Sequence, residues 1–260
     1  MTITVKSADR AIQILEAIAQ YNEGVTHGDL SEILNIPKSS LSSLLANLQD
    51  RDFLFLDKKN RHYTLGPKIL FLAGRFLSST DIIQLGRPII DRLVSDTEES
   101  SGLTVKKGLE ILTVYNKNSQ LPIIRSLQIG DRAPIYATAA GRVMLAFLPD
   151  EEIEDYLAAV SMEPVTETTI TDPEKFRQEI HAIRSSGIAY CREEFHEEST
   201  AMAAPVFDMY GTPIASIHIV APSNRINARK EKIMAAALRQ STKELSYRLG
   251  FVGHDEEADY

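Results

Sequence analysis

Cys191 is the only cysteine in the 260-residue sequence, which excludes an internal disulfide framework and fits a reducing compartment. No apolar run approaches the ~20 residues of a membrane span, and the opening "MTITVKSADRAIQ" lacks the apolar core of a signal peptide. The expected address is therefore the cytoplasm, with no membrane partner. The six histidines (27, 62, 181, 196, 218 and 254) form no H-x3-H or HExxH pattern. A Walker loop and a dinucleotide fingerprint are also missing, so the sequence offers no metal or cofactor motif. Cys191 with His196 and the glutamates at 193, 194, 197 and 198 is the one constellation that resembles a thiol or metal site. Its spacing matches no zinc pattern and no oxyanion hole is signalled, so the expectation is no catalysis, no metal and no cofactor, with "REEFHEE" a solvated acidic loop.

What is present is an ordinary globular composition, 43% hydrophobic and 25% charged, with a formal net charge of −8. That charge is uneven. Residues 1–80 carry nine Lys/Arg against eight Asp/Glu, a net of +1, leaving −9 for the remainder. An acidic C-terminal part does not prevent a local basic edge at the N-terminus from meeting nucleic acid.

The first eighty residues alternate apolar positions at the helical period. "SADRAIQILEAIAQY" predicts a helix capped by Ser7, with Ala11, Ile12, Leu15, Ile18 and Ala19 on one stripe. In "THGDLSEILN", Thr26 and Asp29 are spaced as a weak capping box, Asn35 stands at a left-handed turn position, and Pro37 stands where a third helix should begin. That helix, "KSSLSSLLANLQD", places Leu41, Leu44, Leu45 and Leu48 on its inner face and a lysine and serines on its outer face.

After Asp50 the period falls to two. "FLFLD" and "RHYTL" predict a hairpin closed by "KKN", with Asn60 as the residue expected to take a positive φ and Lys58, Lys59, Arg61 and His62 near the tip. Helix-turn-helix followed by a basic hairpin predicts a winged helix-turn-helix that binds double-stranded DNA. The candidate contacts are Lys38, Ser39, Ser40, Ser42 and Ser43 on the reading helix, His27 near the phosphates, and Lys58, Lys59 and Arg61 on the wing. Serine supplies short side chains that both donate and accept at close approach. The plainer alternative is that the serines are caps and the hairpin a solvated edge.

Beyond residue 66, "GPKILFLAGRFLSS" and "DIIQLGRPIIDRLVSDTEES" are amphipathic stretches suited to linker helices. "GLTVKKG", "LEILTVYN" and "IIRSLQIG" are strand-like, helices are expected at 138–148, 150–160 and 173–186, a hairpin around Tyr210-Gly211, and a closing helix from "RKEKIMAAALRQSTKELSYRL". In "YATAAGRVMLAFL", Thr138 is a natural N-cap, and Ala139, Ala140 and Gly141 leave the helix N-terminus unobstructed. That suits a small carboxylate, or alternatively a tight helix–sheet contact.

Taken together, "SADRAIQILEAI", "IPKSSLSSLLANLQDRDFL", "YTLGPKILFLAG", "TAAGRVMLAFLP", "TETTITDPEKF", "IRSSGIAY" and "AAPVFDMYGTPIASIHI" resemble the IclR-type bacterial transcriptional regulators. The resemblance implies an α+β chain. A winged helix-turn-helix (1–66) is joined by linker helices (67–100) to a GAF-like effector-binding domain (101–251), with an acidic tail (252–260). It implies a cytoplasmic regulator that dimerises or forms a dimer of dimers on a pseudo-palindromic operator and answers to a small organic acid. By carry-over, Cys191, Ser199, Ala201, His218 and Val220 fall on or beside effector-facing positions, with Leu127 and Ile129 as an apolar wall. Glu198 stands where the family commonly has Gly, His218 where Ser is frequent, Ala221 where Gly is common, and Ser43 where many relatives carry Arg. These departures suggest an effector larger or more apolar than the family's keto acids. The competing reading is a sensor or adaptor acting through protein contacts of the winged helix.

Overall fold

The computed structural model describes residues 5–21, 23–72, 81–121 and 126–253. The tail beyond 253, the 73–80 part of the linker stretch and the start of the strand expected at 123–130 lie outside them. The chain forms two compact units, 1–80 and 81–260.

In the first unit, α1 (Lys6–Ala19), α2 (His27–Ile33) and α3 (Lys38–Asp50) are followed by β2 (Leu54–Leu56) and β3 (His62–Leu65). Residues 67–72 are helical (α4). The N-cap half of the capping box at α2 forms: Thr26 Oγ1 accepts from the Asp29 amide, while the Asp29 carboxylate accepts the Thr26 hydroxyl at 2.7 Å. Asn35 takes φ 48°, as the turn requires. Leu41, Leu45 and Leu48 of α3 close over Ile14, Ile18 and Leu30, so the period of 3.6 sets the core. Local details differ from expectation: Ile12 and Ala19 of the expected α1 stripe are exposed, while Ile14 and Ala17 are buried beside Ile18. α1 starts at Lys6 with Val5 in the cap position and no side-chain cap, so Ser7 is inside the helix. A two-residue strand β1 (Val25–Thr26) also pairs with β3, giving the sheet order β1-β3-β2.

The second unit is a six-stranded antiparallel sheet, order β6-β5-β4-β9-β8-β7, from β4 (Ser100–Lys107), β5 (Glu110–Lys117), β6 (Arg132–Pro134), β7 (Ala189–Arg192), β8 (Ser199–Phe207) and β9 (Pro213–Pro222). Its helices are α5 (Ile82–Thr97), α6 (Ala139–Ala146), α7 (Asp150–Ala159), α8 (Pro173–Ser186) and α9 (Ala228–Arg248). Strand alternation sends Ala215, Ile217 and Ile219 of β9 to one face with Met202, Ala204 and Val206 of β8, where α5 and α9 cover them. α5, expected in the linker, is thus packed into this unit through Ile89, Ile90 and Leu93. The other face carries Ser216, His218 and Val220 and lies under α6, behind which Phe176, Ile180 and Ile183 of α8 pack. Residues 126–130 are not a strand; they lead into a turn closed by Gln128 and Asp131.

One buried carboxylate joins distant parts of this unit. Glu99, at the head of β4 and fully buried, accepts from Arg225 at 2.7 Å and from the Lys230 ammonium.

Candidate functional site

The outward face of α3 exposes Lys38, Ser39, Ser42 and Ser43, and leaves Ser40 half-buried. The serine hydroxyls are not idle. Ser42 Oγ donates to the Lys38 carbonyl at 2.9 Å and Ser43 Oγ to the Ser39 carbonyl at 3.4 Å. With its one proton committed, Ser42 can only accept from the His27 Nε2, which stands 3.0 Å away. His27 therefore ties the start of α2 to the exposed face of α3. Ala46 and Asn47 continue that face one turn on; the i+3/i+4 spacing from Ser43 could have nominated them.

The hairpin tip presents Lys58, Lys59 and Arg61 to solvent, and none of them enters an ion pair among the described residues. Asp57 fixes the turn: its carboxylate accepts the Lys59 amide and its carbonyl the Arg61 amide, both at 2.8 Å. The residue with positive φ is consequently Arg61 (62°) rather than Asn60. His62 is half-buried, with Nδ1 2.9 Å from the Glu23 carbonyl, and belongs to the base of the hairpin.

In the second unit, a cavity opens between the N-terminus of α6 and the sheet. It offers about 50 Å³ to the centre of a water-sized sphere. Of the expected residues, Leu127, Ala139, Ala140, Cys191, Ser199, Ala201, His218 and Val220 line it, together with Ile111, Ser126, Thr138, Phe195 and His196. Two expected residues are elsewhere. Ile129 is 64% exposed, turned out where Asp131 accepts the Gln128 amide. Gly141 is buried on the Ile135 backbone and gives its amide to Thr138 Oγ1 at 3.1 Å. It serves as the tight contact, and only Ala139 and Ala140 face the cavity.

Among the described residues no Lys or Arg lines this cavity. Arg142, fully buried on α6, is turned to the Tyr136 carbonyl (Nε, 2.7 Å) and to Glu194. Burial pushes the Cys191 thiol up to about 11, and Sγ donates to the Ala137 carbonyl at 3.2 Å. His218, 4% exposed, is held down at about 4 by desolvation, and its Nδ1 has no partner among the described residues. Its ring fits because position 102 is glycine: a Cβ there would stand 2.7 Å from the ring Cε1.

A sequence profile of the IclR helix-turn-helix domain matches residues 7–57, and that of the bacterial transcriptional regulator IclR C-terminal domain matches residues 74–247. The chain belongs to the IclR family of bacterial transcriptional regulators. It is 27% identical over 254 residues to the DNA-binding transcriptional repressor YiaJ of Escherichia coli K12, covering 96% of this chain and 90% of that one. It is 29% identical over 228 residues to the HTH-type transcriptional regulator KipR of Bacillus subtilis, covering 86% and 91%. The solved structure of the Agobacterium tumefaciens repressor BlcR matches with a TM-score of 0.85 at 26% identity, covering 97% of this chain and all of that one. That of Pseudomonas aeruginosa HmgR matches with a TM-score of 0.81 at 25% identity, covering 96% and 100%.

This IclR-family chain is a DNA-binding transcriptional regulator and not an enzyme. A neutral, buried Cys191 agrees with that, since a nucleophile needs an accessible thiolate. The "REEFHEE" loop of the regulator is more than a solvated edge: Glu194 neutralises Arg142, and Phe195 and His196 face the cavity. Its aromatic pair, interrupting a run of glutamates, was the signal available in the sequence. Glu198 holds φ 57°, a left-handed conformation that glycine adopts more freely than a residue with a Cβ. Among the described residues no helix is long and apolar enough to cross a membrane.

Proposed function

We propose that the chain is a ligand-responsive cytoplasmic repressor or activator that binds a pseudo-palindromic operator as a dimer or dimer of dimers. The DNA contacts are Lys38, Ser39, Ser40 and Ser43 on α3, Ser42 held by His27, and Lys58, Lys59 and Arg61 on the wing. A small organic acid in the α6 cavity sets the affinity for the operator. The observation that carries this reading is a cavity at a helix N-terminus, lined by Ala139 and Ala140 of α6 and by apolar Leu127 and Val220. A water needs about 10–15 Å³ of such space, so room of about 50 Å³ suits a compact acid of a few carbons and not the larger one suggested by the departures from the family pattern. Exposed apolar residues on the first unit, Ile12 and Leu70 among them, support association of two copies, which would set two reading helices about one helical turn apart.

Ala140→Leu tests the assignment. It should fill the cavity and leave operator binding intact but indifferent to the acid, whose coupling of ~1–3 kcal/mol otherwise changes affinity severalfold. An unaltered response to the same acid at the same concentration would place the effector elsewhere. Sedimentation giving only monomer, with and without operator, would defeat the dimer. The absence of any salt-dependent binding to DNA would favour the protein-contact reading instead.

A further inference from the structure

We propose that His218 takes up a proton when a carboxylate enters the cavity, so that the anion is held in an ion pair formed on binding and affinity rises as pH falls. This rests on the reading of the cavity as an acid site. A buried carboxylate is stabilised further by a counter-charge beside its hydrogen bonds, since leaving water is costly for a charge. The N-terminus of α6 supplies roughly half a positive charge, and no Lys or Arg among the described residues lines the wall. Arg142, the arginine on α6, does not line the cavity and pairs with Glu194, although its Nη1 has no hydrogen-bond partner among the described residues.

The groups around His218 leave few other sources of charge. β4 brings Gly102 beneath the ring and Ser101, whose hydroxyl donates to the His218 carbonyl at 2.6 Å. β8 brings Ala201 and Ala203, β5 the Tyr115 carbonyl, and α6 Thr138 to Ala140. The titratable neighbours lining the cavity are Cys191, whose thiol burial keeps neutral, and His196. His218 is almost fully buried, and its Nδ1 has no partner among the described residues, whereas buried polar atoms of native proteins are mostly hydrogen-bonded. In the free protein desolvation by burial favours the neutral ring. A carboxylate in the cavity reverses that balance. The step balances simply: the neutral imidazole takes one proton from solvent, forming an N–H bond, and the imidazolium pairs with the carboxylate, which itself forms no covalent bond to the protein.

The probes are acetate and lactate, with acetamide as the uncharged counterpart of acetate. Calorimetry of the full chain in buffers of differing ionisation heat, near pH 6, should read uptake approaching one proton per acetate, and affinity should rise up to about tenfold per pH unit lowered. Acetamide should show neither effect. Nitrogen NMR of the wild-type imidazoles should show His218 protonating at higher pH in acetate than without it, a reading that needs no variant. His218→Gln should abolish the uptake. Acetate binding without uptake, equal affinity for acetamide, or uptake that survives in His218→Gln and so belongs to His196 would each overturn the proposal while leaving the acid site standing. Failure of both acids to bind the wild type would overturn the acid site itself, and this proposal with it.

Discussion

Gly141→Ala is a methyl group added where the fold has no room for one. A Cβ at that position would stand 2.5 Å from the Ile135 Cα and 2.6 Å from its carbonyl oxygen, against 3.4–4 Å for ordinary contact, so something must retreat by nearly an ångström. The obstacle is backbone, not a side-chain end, and it is tethered: the Thr138 amide donates to the Ile135 carbonyl and Thr138 Oγ1 to the Pro134 carbonyl. Overpacking of this kind costs up to about 3 kcal/mol, while replacing a helical glycine by alanine returns about 1. The net loss is about 2 kcal/mol, or roughly 4–8 °C in the melting temperature of a unit this size. Gly28→Ala is the control. Its Cβ meets only Thr26 Oγ1, at 3.7 Å, so the same change in α2 should be neutral or gain up to about 1 kcal/mol. Urea unfolding monitored separately for each unit measures both. A Gly141→Ala protein as stable as the wild type would refute the argument that the glycine exists for contact with Ile135.

Lys58→Ala with Lys59→Ala should weaken binding similarly across DNA sequences, each lost phosphate contact lowering the log–log salt slope by about 0.9; an unchanged slope would mean the tip does not meet the backbone. Because burial raises the Cys191 thiol from 9.0 to about 11, the native chain should hold about a hundredfold less thiolate at neutral pH than an ordinary cysteine, and iodoacetamide should label it slowly until urea is added. His218 titrates near 4 in the folded chain against an ordinary 6.5, so the unfolded chain binds the extra proton between those values. Its contribution is complete above pH 6.5 and lost as pH falls toward 4, by as much as about 3 kcal/mol, and His218→Gln should flatten that part of the stability profile.

The elements legible in the sequence are those specified locally. The helices of the first unit follow from leucine spacing, the Thr26–Asp29 cap, Asn35 and Pro37, all within a turn of the residues they govern. α8 begins at Pro173 and ends before Gly187 at φ 73°, a start and stop readable from residue type alone. What escaped depends on partners far along the chain. β1 exists because Val25 meets Tyr63, and β7 because Ala189 meets Ala203; neither segment is long enough to show a period of its own. The shift of the turn from Asn60 to Arg61 was decided by one carboxylate, Asp57. In the cavity, the resemblance located the wall on β8 and β9, where alternation carries over from relatives. It misplaced Ile129, whose orientation is set by a local turn, and left out Phe195 and His196 in a loop that charge alone had marked as solvent-facing.

The sheet order has a consequence for how the protein is made. β4 pairs with β9 at its centre, Ser100 opposite Val220, and Glu99 waits for cations 126 and 131 residues downstream. While a ribosome is still translating, residues 1–80 can complete their own core, but β4 and β5 leave the tunnel without the strand that belongs beside them. The carboxylate of Glu99 stays hydrated and the apolar row of β4 stays open until α9 has emerged. At roughly 5–20 residues per second the interval lasts many seconds, and its closing step is a long-range pairing of the slow kind. The nascent chain is thus most exposed to aggregation and proteolysis just before its last helix arrives, and shortening α9 should cost yield in the cell more than it alters any contact with DNA.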